Sequence, residues 1–300
     1  MKSRIYSYSS KLFLIELTPP VPGFDHFIGA WLYKGEITFL VDVGPAATLP
    51  MLLQALSSLQ VTHLDYIFLT HIHMDHAGGV GHLSAHFPKT PIVCHGSGLP
   101  HLIDPSRLLA GSLKTLGDTA RAYGPMSAVP EPLLVDAEQF DSDVVKPVPT
   151  PGHSPHHVSY LTSDGLFVGE AGGVCIGLPD GRSWLRPATP PQHILTIALK
   201  SLDALMAVFP DTICYAHFGI QKEAGRYLSR HRKQLLLWEQ VIIECIKSSP
   251  PEKRIGNCLT ALFSQDPELA AYDGLTPDQQ KRETFFLINS VKGFLGYLAP

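Results

Sequence analysis

Apolar residues fall in short blocks along the chain, and the spacing within the blocks alternates between strand-like and helix-like. Residues 12–17 (LFLIEL) and 37–43 (ITFLVDV) are runs of Leu, Ile, Phe and Val closed by Pro or Gly, the pattern of strands, and 27–33 between them is a candidate third. The leucines of 47–59 recur at helical spacing, and Tyr66-Ile67-Phe68-Leu69 is a short apolar run that ends on Thr70-His71. A short helix is predicted over 77–86 and a strand over 91–94. Over 100–125, Leu108, Leu109, Leu113 and Leu116 are spaced for one helical face. Strand-like runs return at 144–148, 157–161 and 166–168, whereas 177–192 is rich in Gly and Pro and reads as a loop. A helix over 193–208, a strand over 212–215 and helices over 221–247 and 277–298 complete the pattern. Short apolar strands interleaved with helices predict an α/β fold with a buried sheet.

Composition narrows the class. At 300 residues and 45% hydrophobic, the chain can bury a large core, as one extended α/β domain would. A net charge of -4 gives no phosphate-tracking surface, so nucleic acid is not an expected partner. The five cysteines (Cys94, Cys175, Cys214, Cys245, Cys258) are odd in number, scattered and without a CxxC pair, which suits reduced thiols better than a disulfide framework. The opening residues lack the uninterrupted apolar run of a signal peptide, and no stretch approaches the ~20 apolar residues of a spanning helix. The expectation is a soluble cytoplasmic protein that meets a small-molecule substrate and no membrane; a homodimer is allowed.

Candidate chemistry sits just after the predicted strands, where α/β folds place functional loops. Thr70-His71-Ile72-His73-Met74-Asp75-His76 is an HxHxDH sequence. In a chain with 15 histidines such a match arises by chance in roughly two per thousand sequences, so a polar surface turn is a poor explanation. Residues two apart in an extended segment point the same way, so His71 and His73 can meet one ion. If a helix starts near Met74, Asp75 and His76 point from its first turn toward a second ion. Imidazoles with a carboxylate suit zinc or iron, with manganese a further option. Two ions need more donors, and the chain offers His153 after 144–148, Glu170 after 166–168 and His217 after 212–215, each beside a glycine or one residue from it.

HxHxDH, then Gly152-His153, then a carboxylate after an apolar strand, then a strand-terminal His217 together resemble the metallo-β-lactamase superfamily. Val41-Asp42-Val43-Gly44-Pro45 is similar to that family's early strand ending in an Asp-x-Gly turn. The resemblance covers roughly residues 12–220, and the last eighty residues resemble the family's variable helical additions. It implies a four-layer αββα sandwich over 1–220 with a helical extension, 221–300, packed on it. It also implies that His71, His73 and His153 hold one ion and Asp75, His76 and His217 the other. The family's bridging carboxylate is usually Asp; here it is Glu170, whose extra methylene moves the carboxylate by roughly one bond length. Glu170 can bridge from a retracted backbone, bind one ion only, or weaken the second site.

The resemblance implies a metal-dependent hydrolase in which a hydroxide activated by the metal pair attacks an ester, thioester or lactone, with Asp75 passing a proton to the leaving group. Two rival readings are a mononuclear iron oxygenase of the same fold acting on a thiol or persulfide, and a metal-binding protein without turnover. Trp184 and Arg186 in the 177–192 stretch are candidate substrate contacts, the arginine for a carboxylate. Ser154 sits beside a ligand and is expected to support it, while His156 and His157 are expected to be solvated or packed, with a supporting or substrate contact as the alternative. Cys175 and Cys214 read as small buried hydrophobes, and Phe285-Phe286-Leu287 and Phe294-Leu295 as helix core. His63, His82, His86, His95, His101, His193 and His231 have no ligand spacing.

Overall fold

Successive strand residues point to opposite faces, so a strand that is apolar throughout must be covered on both sides. That is the arrangement in a computed structural model, which describes residues 3–191 and 193–299. The first sheet contains β1 (Arg4–Ser7), β2 (Leu12–Glu16), β3 (Gly29–Lys34), β4 (Thr38–Val41), β5 (Tyr66–Phe68), β6 (Ile92–Cys94) and β7 (Leu134–Asp136), in that spatial order. Pairing is antiparallel from β1 to β4 and parallel from β4 to β7. The second sheet draws on β8 (Lys146–Pro149), β9 (Val158–Thr162) and β10 (Gly165–Gly169). After the hairpin of β11 (Val174–Gly177) with β12 (Ser183–Arg186), it gains β13 (Thr212–Tyr215) and β14 (Gly219–Lys222). Its order is β14-β13-β10-β9-β8, with β10 and β13 parallel.

Alternation decides which residues meet. Leu12 and Leu14, Trp31 and Tyr33, Phe39 and Val41, and Phe68 turn to one face and share a core with Tyr160, Phe167 and Cys214 of the other sheet. The Phe68 and Tyr160 rings lie 4.8 Å apart and those of Trp31 and Phe167 6.0 Å. The intervening residues Ala30, Leu32, Leu40, Ile67, Leu166, Val168 and Ile213 belong to a second cluster shared with the helices. Two sheets face to face with helices outside form the αββα sandwich.

The helices are α1 (Leu49–Ser58), α2 (Met74–Ala77), α3 (Val80–Ser84), α4 (Leu99–Ile103), α5 (Ser106–Leu116), α6 (Asp118–Tyr123), α7 (Leu195–Ala207), α8 (Ala224–Ser248), α9 (Arg254–Gln265) and α10 (Pro277–Leu298). Three expectations need correction. The single helix over 77–86 is two short ones, starting at Met74. The helix over 100–125 is three, interrupted after Ile103 at Asp104-Pro105 and again at Gly117, whose φ of 56° no regular helix accepts. The 177–192 stretch is not all loop, since β12 lies within it; four strand residues flanked by Gly and Pro are too short a signal to read. Strands β1, β7, β11 and β14 and helix α9 add to the predicted elements, and β14 takes the first residues of the helix expected over 221–247, which starts at Ala224.

The C-terminal helices share the core of the sandwich rather than sitting beside it. Glu283 on α10 is fully buried and accepts hydrogen bonds from Trp184 Nε1 at 2.8 Å and from the Arg186 guanidinium, both on β12, and from Arg282 Nε at 2.8 Å. Among the described residues no helix is long and apolar enough to cross a membrane.

Candidate metal centre

Five strands, β4, β5, β8, β10 and β13, run out toward one edge of the sandwich, and the segments leaving their ends build the site. Asp42 follows the last residue of β4 with a φ of 58°. Its carboxylate accepts the Thr70 amide at 2.8 Å, the Thr70 hydroxyl at 2.8 Å and His76 Nδ1 at 2.8 Å. The amides of Val43 and Gly44 donate to the His76 carbonyl at 2.8 and 3.1 Å, so the Asp-x-Gly turn grips the segment after β5 at both ends. That segment is extended through His73 (φ −60°, ψ 155°) and turns into α2 at Met74. Extension puts His71 and His73 on one side, and the first helical turn presents Asp75 and His76.

The donors converge in two groups. His71, His73, His153 and Glu170 form one, Asp75, His76 and His217 the other, and within each the ligating atoms lie within 4.8 Å of one another. His73 Nδ1 is 2.9 Å from both His71 Nε2 and His153 Nε2, and His76 Nε2 is 3.2 Å from His217 Nε2. Glu170 faces both groups. Its Oε2 lies 2.9 Å from His153 Nε2, 3.4 Å from His71 Nε2 and 3.5 Å from His76 Nε2, while Oε1 is 3.8 Å from His217 Nε2.

Hydrogen-bond partners assign the tautomers. His153 Nδ1 donates to the Ala188 carbonyl at 2.9 Å, His217 Nδ1 to the Phe27 carbonyl at 2.8 Å, and His76 Nδ1 to Asp42. The Thr70 hydroxyl gives its proton to Asp42 and accepts His71 Nδ1 at 3.1 Å. Four imidazoles therefore aim Nε2 lone pairs inward. Neutral imidazoles at such distances repel unless a cation, either a proton on His76 or His153 or a metal ion, lies among them, and the donor set fits metal ions of the type that imidazole and carboxylate favour.

Protonation reflects the same neighbours. Burial, with the imidazoles of His76 and His73, holds His71 well below the ordinary histidine range, and burial with His153 does so for His73. Burial also lowers His217. His76 goes the other way: burial opposes its charge, but Asp42 and then Asp75 carry it well above the ordinary value. Burial lowers His153, but the Glu170 charge, its hydrogen bond and the Ala188 carbonyl together leave it raised. Glu170, despite burial, is kept well below the carboxylate range by His153. The bridge-like carboxylate stays ionised.

All seven predicted ligands are thus brought together. Trp184 and Arg186 are not with them as open contacts: they are 0% and 2% exposed and bonded to Glu283. Packing, not the Pro-rich composition around them, fixes their place. Cys175 and Cys214 are buried, and burial pushes the Cys175 thiol up to about 12. His156 stands beside the site, its ring 5.9 Å from that of His73. Two supporting roles go beyond what the sequence indicated for Asp42 and His157. Asp42 carries no signal beyond its turn, and His157, four residues after His153, is a buried acceptor for the Glu170 amide.

Comparison with known proteins agrees with this geometry. The profile of the family described as the metallo-beta-lactamase superfamily matches residues 25–217. A metallo-beta-lactamase fold-containing protein of Sulfurisphaera tokodaii is 29% identical over 188 residues, 60% of this chain and 69% of that one. A hydroxyacylglutathione hydrolase of Cupriavidus taiwanensis is 31% identical over 201 residues, 65% of this chain and 64% of the relative, so the chain spans under two thirds of its length. Among solved structures, the archaeal superfamily protein from Sulfolobus tokodaii superposes with a TM-score of 0.64 at 26% identity, covering 76% of this chain and 87% of that one. A Thermus thermophilus family member has the same fold (TM-score 0.61, 18% identity) over 97% of this chain and 94% of its own.

Proposed function

The chain belongs to the metallo-β-lactamase superfamily, and from that premise we propose that it is a hydrolase of an ester, thioester or lactone that works through two divalent metal ions. The carrying observation is Glu170, whose two oxygens lie within 3.8 Å of imidazoles from both donor groups. One group would be His71, His73 and His153, the other Asp75, His76 and His217, with the Glu170 carboxylate between them. When bound, such a pair lowers the pKa of water and polarises a carbonyl.

The residues do the rest. His71 and His217 are 0% and 1% exposed, so the inner wall of the site is dry and its charges act at short range. Asp75 is the most open of the acidic donors, its side chain 16% exposed against 10% for Glu170. Its Oδ2 lies 3.6 Å from His217 Nε2, which leaves the carboxylate at the mouth where a leaving group would take up a proton. Relatives named hydroxyacylglutathione hydrolase support acyl-group hydrolysis as the reaction class.

The test is a panel of esters, thioesters and lactones offered to metal-stripped and reloaded protein, with metal content measured in parallel. The expected result is turnover only after reloading, lost in His73→Ala together with bound metal and kept in His101→Ala. A single iron with oxygen uptake on thiols would replace this reading with the oxygenase, and metal uptake without turnover would leave a binding protein.

A further inference from the structure

Glu170 stands where an aspartate would be one carbon short, and the structure shows what sets that distance. Strand β10 ends in an irregularity: Phe167 pairs with Cys214 and Gly169 with the next residue, Tyr215, so Val168 is an extra residue in the ladder. Gly169 then takes a φ of 56°, and a Cβ there would fall 2.4 Å from His157 Nε2 and 2.9 Å from Thr70 Cβ. The imidazole thus occupies the volume a side chain at 169 would need. His157 Nε2 also accepts the Glu170 amide at 3.1 Å.

That acceptor role fixes a one-way chain of hydrogen bonds. With Nε2 accepting, His157 Nδ1 must donate, to Thr150 Oγ1 at 2.8 Å. The Thr150 hydroxyl then donates to Ser159 Oγ at 3.0 Å, and Ser159 donates to the Val168 carbonyl at 3.2 Å. Thr150, His157 and Ser159 are each fully buried. The chain leaves residue 170 and returns at residue 168, clamping the extra residue between them.

We propose that His157 is a positioning residue that sets how far back the main chain passes at Glu170, so that a glutamate, and not an aspartate, spans both donor groups. The inference rests on the two-ion reading above. Removing one methylene would withdraw the carboxylate by roughly 1.5 Å. The present separations of 2.9 to 3.8 Å from four imidazole nitrogens leave no slack for that.

Zinc titrated into the apo-protein, with fluorescence competition from a chelator, tests it. Wild type is expected to take two equivalents. Glu170→Asp and His157→Phe, which keeps the ring but has no acceptor, should weaken the second equivalent by about tenfold or more and leave the first within about threefold. His157→Gln, whose amide oxygen can replace Nε2, should restore the second to near wild type. Equal affinities in wild type and His157→Phe, or a His157→Gln as impaired as His157→Phe, would overturn the positioning role. Two tight equivalents in Glu170→Asp, which keeps the carboxylate charge and the backbone amide bond to His157 and stays informative if a His157 variant fails to fold, would overturn the length requirement. One equivalent in wild type would instead remove the two-ion reading on which both depend.

Discussion

Asp42 illustrates how a residue far from any ligand motif can control one. Both its oxygens are used as acceptors, toward the Thr70 amide and hydroxyl and toward His76 Nδ1. Asp42→Asn replaces one acceptor by a donor, which must face either the Thr70 amide or the His76 ring N–H. The variant should therefore release the His76 orientation and weaken metal binding by about 10- to 100-fold with the fold intact. Metal titration alongside circular dichroism measures both; unchanged affinity would deny Asp42 its role. At this scale the sequence was most legible where ligands are close together. His71, His73, Asp75 and His76 fall within six positions, and their spacing alone implies convergence. His153, Glu170 and His217 were found through the strands that precede them. The specific roles of Asp42, visible only as part of its turn, and of His157, visible only as a neighbour of His153, were not, because a single buried acceptor leaves no spacing to recognise.

Between elements, the contact of β12 with α10 is the one that composition concealed. Trp184 and Arg186 lie in a segment whose Gly and Pro suggested an open loop, yet they close on a carboxylate 97 or more residues later. Arg186 and Arg282, outweighing burial, hold Glu283 down at about 2. Its folded pKa is depressed below the unfolded value near 4.5, so its stabilisation is present above pH 4.5 and is lost as pH falls from there toward 2. The shift corresponds to about 3 kcal/mol at neutral pH. Glu283→Gln leaves two buried guanidinium groups without their counter-charge and should lower stability by about 3–5 kcal/mol at pH 7. Urea unfolding at pH 7 and pH 3 should show the gap between variant and wild type narrowing in acid. A gap that stays constant would mean that the ion cluster does not anchor α10. The long strands and the helices of 277–298 and 193–208 were legible from period alone. The breaks at Pro105 and Gly117 and the four-residue strand β12 were not, since short elements are decided by what they pack on.

At the scale of the whole molecule, the sandwich brings segments from residues 42 to 217 to one edge, because the parallel pairs β4–β5 and β10–β13 deliver their ends together. Amides and carbonyls sew the edge: Val158 N–H donates to Thr70 O and Cys175 N–H to His217 O, each at 2.8 Å. These bonds hold the segments together across the two sheets, which supports the proposal that the edge binds two ions side by side. Diffraction data collected on either side of the zinc absorption edge, from crystals of zinc-loaded protein, test this claim most directly. Two anomalous peaks are predicted, one among His71, His73 and His153, the other among Asp75, His76 and His217, with Glu170 between them. A single peak, or a second one away from Asp75, His76 and His217, would contradict it.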